Sequence, residues 1–340
     1  METEKRAKIR DVAAHAGVSV GTVSRVLAGN PAVKHGPLLR VKAAIEELGY
    51  RPNQVARALR SNRINVIGLL IPDILNPYFA QLANELERIA ADAGYALILS
   101  SSHNDPKREA RQLVAVLEQK PVAIIFVPTS EKLAADVPAP TRALSIDRPA
   151  LGYAAITVDQ RQGAAVALDH LVALGHRRIA YFAGPDNTIN ARERLDGFLN
   201  RAEEISATGT ALSIDVHPGD FDFQSGEQIA RDLLQKPRGE RVTAIAAASD
   251  QQAIGAIRAA RDLGLAVPTD LSVVGFDDIT LASLIVPRLT TVQQPVGEMA
   301  ETAVRAVLAF DASLESQEFL ARLIVRDSTA PCPAEEPDRA

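Results

Sequence analysis

The chain has 340 residues, 47% of them hydrophobic and 23% charged, which is the composition of a globular protein long enough for more than one domain. Its one cysteine, Cys332, excludes a disulfide framework and a cysteine-ligated metal site. No apolar run has the length of a signal-peptide core or a transmembrane helix, so we expect a cytoplasmic protein that makes no membrane contact.

The formal net charge of −5 is unevenly distributed along the chain. Residues 1–63 contain 12 basic and 5 acidic residues, whereas the remainder contains 25 basic and 37 acidic residues. A basic N-terminal segment on an acidic body predicts that this segment binds a polyanion such as DNA. On charge alone, a basic face that only contacts solvent is the alternative.

The first predicted elements are two short helices between Ile9 and Leu27. Gly17 suits the tight turn between them because glycine adopts positive φ without steric cost, and Ser19 suits the cap of the second helix. The valine spacing buries one face of the pair, and the second helix then exposes Val20, Gly21, Thr22, Ser24 and Arg25. This pattern predicts a helix-turn-helix that binds the DNA major groove, with an ordinary helical hairpin as the alternative.

A third helix follows, and residues 1–50 together are predicted to form a DNA-binding headpiece. Its start is indicated by Gly36-Pro37 and its end by Gly49. Residues 51–63 then form a predicted hinge, in which Asn53 caps a helix of about two turns over 53–60 with an apolar edge that includes Ala56 and Leu59. So short a helix does not persist alone in water, so we expect it to form only against a second copy or a DNA groove. A flexible linker is the alternative.

From Asn65 onward, short apolar strands alternate with helices of 10–18 residues, which predicts an α/β fold with parallel sheets covered on both faces. The number of units predicts a body of two doubly wound lobes over residues 64–330, followed by a disordered tail at 331–340. Ligands of such sheets bind at the carboxyl ends of strands. The residues there include carboxylates, amides, aromatic rings and Arg148, a set that suits a polar small molecule such as a sugar.

The motifs that would indicate an enzyme are missing from the sequence. We find no GxGxxG, GxxxxGK[ST], HExxH or GxSxG, and the six histidines lack metal-ligand spacing. Asp277-Asp278 has the residue types of an acid–base pair, although one ligand acceptor beside one structural residue explains it as well. We therefore expect no catalytic residue, no metal and no cofactor.

At this point the order of parts resembles one family, the LacI/GalR (lactose-repressor) family of bacterial transcriptional regulators. The resemblance covers nearly the whole chain and rests on the segments IRDVAAHAGVSVGTVSRVL, AAIEELGYRPNQVARAL, IGLLIPDILNPYFAQL, DHLVALGHRRIAYFAG, SDQQAIGAIRAARDLGLAVPTDLSVVGFDD and LTTVQQP. It implies a body like periplasmic binding proteins, a homodimer or tetramer, binding to a pseudo-palindromic double-stranded operator, and a small-molecule effector between the lobes. It also implies a repressor rather than an enzyme.

The resemblance implies roles for individual residues. For DNA, it implies base contacts for Val20, Gly21 and Arg25, phosphate contacts for Thr22, Ser24 and Asn53, and minor-groove insertion for Leu59. For the effector it implies Phe79, Asp147, Asn190, Arg194, Phe221 and Asp277, with Gln251 and Gln294 as weaker matches. It places about 64–160 and 291–322 in one lobe, and about 161–290 and 323–330 in the other.

Several points stay open in the sequence. Three of the effector residues have a second interpretation. Phe221 suits the core as well as the pocket, Arg194 also suits an exposed helix position, and Asp277 also suits a helix cap. Gly21 has no side chain where relatives carry one, which leaves more of the base recognition to Arg25, and Gly36-Pro37-Leu38 departs from the polar start usual in the third helix. A sugar or sugar derivative is the leading effector, with a purine-responsive regulator and a solute receptor without a DNA role as the alternatives.

Overall fold

The computed structural model describes residues 7–27, 33–50, 65–133, 135–237 and 239–333. The chain forms two compact units, residues 1–64 and residues 65–340. The predicted hinge helix at 53–60, with Asn53, Ala56 and Leu59, lies outside the described residues, and so does the end of the tail from 334. In the part of the chain that is described, no helix combines the length and apolar character needed to cross a membrane.

The N-terminal unit contains the predicted helix-turn-helix and a third helix: α1 (Ile9–His15), α2 (Val20–Leu27) and α3 (His35–Glu47). Gly17 has a φ of +60°, and Ser19 Oγ accepts a hydrogen bond from Thr22 N at 3.2 Å, so the predicted turn and cap are both present. A small core of valines and alanines on the three helices holds them together. The third helix begins earlier than Gly36-Pro37 indicated, which places Pro37 in the first turn, where its missing N–H disrupts no intrahelical bond.

The second unit is built from two six-stranded sheets. Its strands are β1 (Val66–Ile71), β2 (Ala96–Ser101), β3 (Ala123–Phe126), β4 (Arg142–Ile146), β5 (Ala154–Val158), β6 (Arg178–Phe182), β7 (Ser213–His217), β8 (Ala244–Ala247), β9 (Ser272–Asp277), β10 (Thr290–Gln293), β11 (Gln317–Phe319) and β12 (Arg322–Ile324). The first sheet has the order β11-β5-β4-β3-β1-β2 and the second has the order β12-β10-β9-β8-β6-β7. All pairs are parallel except β10 with β12. Interior strands such as β1 are buried on both faces, which explains their continuous apolar sequence.

The helices of the body are α4 (Pro77–Asp92), α5 (Pro106–Glu118), α6 (Gln160–Ala173), α7 (Ile189–Ala207), α8 (Phe223–Leu234), α9 (Asp250–Asp262) and α10 (Val296–Leu308). The two lobes exchange helices. Helix α6 follows β5 of the first sheet but packs on β8, β10 and β12 of the second, whereas α10 follows β10 and packs on β3, β4 and β5 of the first. The chain therefore passes between the lobes three times.

The second passage begins slightly later in the chain than the sequence predicted. The prediction returned the chain to the first lobe at about 291, but Thr291 and Val292 pair with Gly275 and Phe276 of β9, so the second sheet extends to Gln293. At the end of the body, Cys332 N donates to Leu174 O at 2.8 Å, so the ordered chain extends slightly into the stretch predicted as tail. The three passages lie side by side, since Asp159 N donates to Phe319 O at 2.8 Å and Gln160 Nε2 donates to Gln294 Oε1 at 3.3 Å.

Candidate functional site

Helix α2 presents the side chains that the sequence assigned to DNA. Arg25 and Gly21 are exposed, and Thr22 and Ser24 are partly exposed, on the side opposite the fully buried Val23. Val20 is an exception, because it packs in part against the headpiece core. A Cβ atom on Gly21 would lie 3.7 Å from Arg25 Nη2, an ordinary van der Waals contact, so Gly21 and the Arg25 guanidinium are neighbours on the exposed face.

In the body, two aspartates mark the facing ends of corresponding strands. Asp147 follows β4 of the first sheet, and Asp277 ends β9, the corresponding strand of the second sheet. Both have left-handed φ values, 69° for Asp147 and 118° for Asp277, and Asp278 continues the turn with a φ of 57°. Their exposed fractions are 3% and 7% for Asp147 and Asp277. Buried carboxylates in this backbone conformation are uncommon and are typical of functional sites.

Asp147 is surrounded by donors from both lobes. Tyr78 Oη donates to its Oδ1 at 2.9 Å, and Asn190 Nδ2 donates to the same oxygen at 3.2 Å. Arg148 Nε lies 3.4 Å from Oδ2, and the Arg148 guanidinium faces the Phe79 ring at 5.6 Å. Burial raises the pKa of Tyr78 well above its usual range, and the Asp147 charge adds to this, so Tyr78 stays a neutral donor.

Asp277 is paired with Arg194 of α7. Arg194 Nη2 lies 3.2 Å from Asp277 Oδ1, and Arg194 Nε donates to Gln160 Oε1 at 2.7 Å. The guanidinium lies 3.7 Å from the centroid of the Phe276 ring and 5.5 Å from that of Phe221. Burial raises the pKa of Asp277 to about 6, although Arg194 acts in the opposite direction. A planar cation between two rings and a carboxylate is held in one orientation.

Gln294 joins the two aspartates into one network at the second passage between the lobes. Its Nε2 donates to Asp277 Oδ1 at 2.8 Å, and its Oε1 accepts from Tyr78 Oη at 3.4 Å and from Gln160 Nε2 at 3.3 Å. Neither Tyr78 nor Gln160 was among the residues that the sequence assigned to the effector. Both stand at helix starts directly after strand ends, next to Phe79 and Asp159, and this position is the signal that would have identified them.

The lobes also touch directly outside this network. Gln81 of α4 accepts from Thr280 N at 2.6 Å and donates to Asp278 O at 3.4 Å. Arg192 Nη2 lies 3.2 Å from Glu131 Oε1 on the opposite lobe. Because both of these contacts are polar, a change in the angle between the lobes that separates them requires their hydrogen bonds to be remade.

The structure brings most of the predicted effector residues together. Phe221 serves both of its alternatives, since its partly buried ring packs on the core and also faces Arg194. Gln251 is buried in the first turn of α9, and within the described ranges no hydrogen bond joins it to the network. Asp73, which follows β1, holds a turn, because its Oδ1 accepts from Leu75 N at 3.0 Å.

A cavity of about 350 Å³ adjoins Arg148 at the edge of this network. Its wall is formed by residues 128–132, Arg148 and Pro149 of the first lobe and by residues 187–189 and Arg192 of the second. Within the described ranges, no group of three His, Cys, Asp or Glu side chains is arranged to hold a metal ion.

Comparison with known proteins gives consistent matches along the chain. The model of bacterial regulatory proteins of the lacI family matches residues 8–53, and that of the periplasmic binding protein-like domain matches residues 168–329. The ribose operon repressor of Halalkalibacterium halodurans is 34% identical over 94% of this chain and 96% of its own length. Catabolite control protein A of Priestia megaterium is 36% identical over 89% of this chain and 92% of its own.

Solved structures show the same similarity. The lac repressor dimer bound to operator and the anti-inducer ONPF has a TM-score of 0.79 and 29% identity, and the match covers 96% of this chain and 100% of that one. The transcriptional regulator CelR in complex with cellobiose has a TM-score of 0.66 and 29% identity, and the match covers 95% and 100% of the two chains. Proteins of this kind are DNA-binding regulators, not enzymes. The chain belongs to the lacI family of bacterial regulatory proteins and is a transcriptional regulator.

Proposed function

We propose that the chain is a repressor that binds a pseudo-palindromic operator as a homodimer in the cytoplasm, and that a carbohydrate bound between the lobes switches its operator affinity. The network from Asp147 through Tyr78 and Gln294 to Asp277 and Arg194 carries the proposal. The names of the relatives support it, since they include a ribose operon repressor, GalR and a CelR–cellobiose complex.

The chemistry of the network suits a sugar. Carboxylates and amides accept and donate hydrogen bonds to hydroxyl groups, and the rings of Phe79 and Phe221 offer flat apolar surfaces. These polar groups form hydrogen bonds with one another. When a sugar hydroxyl takes the place of one partner, the remaining group still has a hydrogen bond and is not left buried without one.

The switch follows from the connections between the lobes. A ligand that binds Asp147 on one side and Arg194 or Asp277 on the other stabilises one angle between the lobes by its differential affinity. Lobe contacts such as Gln81 with Thr280 are then kept or broken. We propose that the residues at 51–63, with Asn53, Ala56 and Leu59, pass this change to the operator-bound headpieces.

On the DNA side, we propose that Arg25 is the principal base contact, with Val20 and Gly21 beside it and with Thr22 and Ser24 at phosphates. Gly21 contributes backbone only, which leaves more of the base recognition to the neighbouring Arg25. Replacing Arg25 by alanine is expected to relax discrimination at one base step by about 1–3 kcal/mol, measured by binding to a set of operator variants. Arg40→Ala, which removes an exposed charge from α3, is the control and should leave the sequence preference unchanged.

The effector proposal is tested by thermal unfolding of the full chain with a panel of sugars, sugar phosphates and nucleobases. A ligand that binds only the native state at 100 times its Kd adds about 2.7 kcal/mol to the free energy of unfolding. We expect a carbohydrate to stabilise the wild type and to release or strengthen operator binding, and Asp277→Asn to weaken both effects. Asp262→Asn, which removes a surface carboxylate of the same lobe, should leave them intact. Stabilisation by nucleobases alone would favour a purine effector and contradict the proposal.

A further inference from the structure

The cavity beside Arg148 is basic. Three cationic side chains, Lys132, Arg148 and Arg192, line it, against the single carboxylate of Glu131. Glu131 is engaged with Arg192 at 3.2 Å. The charged side chains that line the cavity are therefore mostly cationic, although Asp147 lies beside Arg148 and the buried Glu109 accepts a hydrogen bond from Thr129 N behind the wall.

The first turn of α7 opens on the same cavity. Residues 187–189 line it, and Thr188, at the N-cap, makes no side-chain hydrogen bond to the helix. The N–H groups of a first helical turn have no partner within the helix, and their positive dipole end favours an anion. Asn190, in that turn, donates to Asp147 at 3.2 Å, so the helix turn that borders the cavity also reaches the network.

Arg148 Nη1 donates to Pro128 O at 3.3 Å, but two other buried polar atoms of the cavity wall make no hydrogen bond within the described part of the chain. Arg148 is 9% exposed, and among the residues described neither its Nε nor Thr129 Oγ1 has a hydrogen-bond partner. Burial lowers the pKa of Arg148 because it desolvates the guanidinium, and the charge of Asp147 beside it acts in the opposite direction. Acceptor oxygens in the cavity would supply both groups with partners and offset the desolvation of the cation.

We propose that this cavity is an anion subsite and that the effector is an acidic carbohydrate, a sugar bearing a phosphate or a carboxylate. The anionic group binds Arg148, Arg192 and Lys132 at the start of α7, and the sugar hydroxyls reach Asp147 and Asn190. This inference rests on the proposed carbohydrate-responsive function and narrows its ligand class. A volume of about 350 Å³ accommodates the acidic group together with part of a sugar ring.

The test is isothermal titration of the full chain with matched neutral and acidic ligands at two salt concentrations. The pairs are ribose with ribose 5-phosphate, glucose with glucose 6-phosphate, and galactose with galacturonate, and inorganic phosphate is titrated alone. We expect one acidic member to bind roughly tenfold or more tightly than its neutral twin, and its affinity to fall as salt rises. The phosphate and carboxylate arms distinguish the two kinds of acid.

Variants locate the acidic group. Arg192→Gln and Lys132→Gln are each expected to weaken the acidic ligand several-fold and to leave the neutral twin within about twofold. Arg201→Gln is the matched control, because it removes an ion-paired arginine from the far end of the same helix. Phosphate binding that is lost in Arg192→Gln and kept in Arg201→Gln supports the subsite.

The experiment separates failure of the anion subsite from failure of the carbohydrate-responsive function. If a neutral sugar binds as tightly as its acidic twin, or if both lining variants leave the acidic ligand unaffected, the anion subsite is overturned while the carbohydrate-responsive function stands. If no member of either set binds, the carbohydrate assignment itself fails and this inference fails with it.

Discussion

The two lobes of the body have the same order of strands but hold their aspartates in different ways. In the first lobe, Asp147 contacts a tyrosine, an amide and the adjacent Arg148, and no helix is described between β3 and β4. In the second lobe, α9 occupies that connection, and its first residue, Asp250, is fully buried. Asp250 Oδ2 accepts from Ile279 N at 2.8 Å and Oδ1 accepts from Thr291 Oγ1 at 2.5 Å. One sheet topology thus supports, within the described residues, a turn without a second buried carboxylate in the first lobe and a turn held by one in the second.

Among the variants that test this comparison, Asp250→Ala is expected to change the free energy of unfolding most. Its removal leaves a buried N–H and a buried hydroxyl without partners, so the free energy of unfolding should fall by about 2–4 kcal/mol in denaturant titrations. Asp105→Ala, which removes the exposed cap of α5 in the first lobe, should have a clearly smaller effect because water replaces the lost bonds. Equal losses in the two variants would mean that the second-lobe turn needs no buried carboxylate.

The pH dependence of stability tests the contribution of Asp277, the aspartate of the second lobe. Burial raises the pKa of Asp277 to about 6 from the ordinary 3.8, so between those values the native state binds more protons than the unfolded state. Its contribution to stability is therefore fully present below about pH 4 and is lost as the pH rises to about 6, by an amount on the order of 3 kcal/mol. Asp277→Asn should remove this slope from unfolding measured across that range.

Asp327 is a control, because its contribution to stability changes with pH in the opposite direction to that of Asp277. Its hydrogen bond from Arg288 lowers the pKa of Asp327, so its contribution is present above the ordinary pKa and is lost as the pH falls. Asp327→Asn should make stability less sensitive to acid. A wild-type slope that survives Asp277→Asn unchanged would show that another group accounts for it.

Two buried tyrosine hydroxyls, one in each lobe, test how much the hydrogen bond to Asp147 contributes to stability. Tyr78→Phe removes the bond donated to Asp147 and should lower the free energy of unfolding by about 2 kcal/mol, measured by chemical denaturation. Tyr181 of β6 in the second lobe is the matched control, because its buried hydroxyl has no hydrogen-bond partner among the described residues. Tyr181→Phe should be neutral or stabilising, and a comparable loss in the two variants would count against a special role for the Tyr78–Asp147 bond.

The smallest effect is expected from the contact between the lobes. Gln81→Ala removes bonds to Thr280 and Asp278 at the surface, so stability should change by less than about 1 kcal/mol. Effector affinity should nevertheless shift several-fold, because the variant changes the balance between lobe angles. Gln228→Ala, which removes bonds within a single helix, should leave effector affinity unchanged in the same titration.

Local patterns in the sequence predicted most of the fold. Gly17, Ser19 and the valine spacing are short-range signals, and the structure confirms the helix-turn-helix they indicated. The position of Asp147 and Asp277 after apolar strands was equally visible, because parallel sheets bring strand ends together. Predicted DNA contacts and effector contacts remain predictions.

Other contacts could not be predicted from local sequence, even where the position of a residue after a strand was informative. Tyr78 fits the apolar face of an amphipathic helix, and its bond to Asp147 spans 69 residues of sequence. Asp250 resembles an ordinary residue of a first helical turn, and only the packing of β9 and β10 above it shows that it is buried. The left-handed turn at Asp277 and Asp278 lacks the glycine that usually marks such a backbone.

The exchange of α6 and α10 between the lobes has a consequence for synthesis on the ribosome. The first sheet begins at Val66, but Met299 and Val304 of α10 belong to its apolar core, and β11 completes its edge only at Phe319. The headpiece helices, by contrast, end at Glu47. A nascent chain can therefore complete its DNA-binding unit early, whereas neither lobe closes until almost the whole protein has been made.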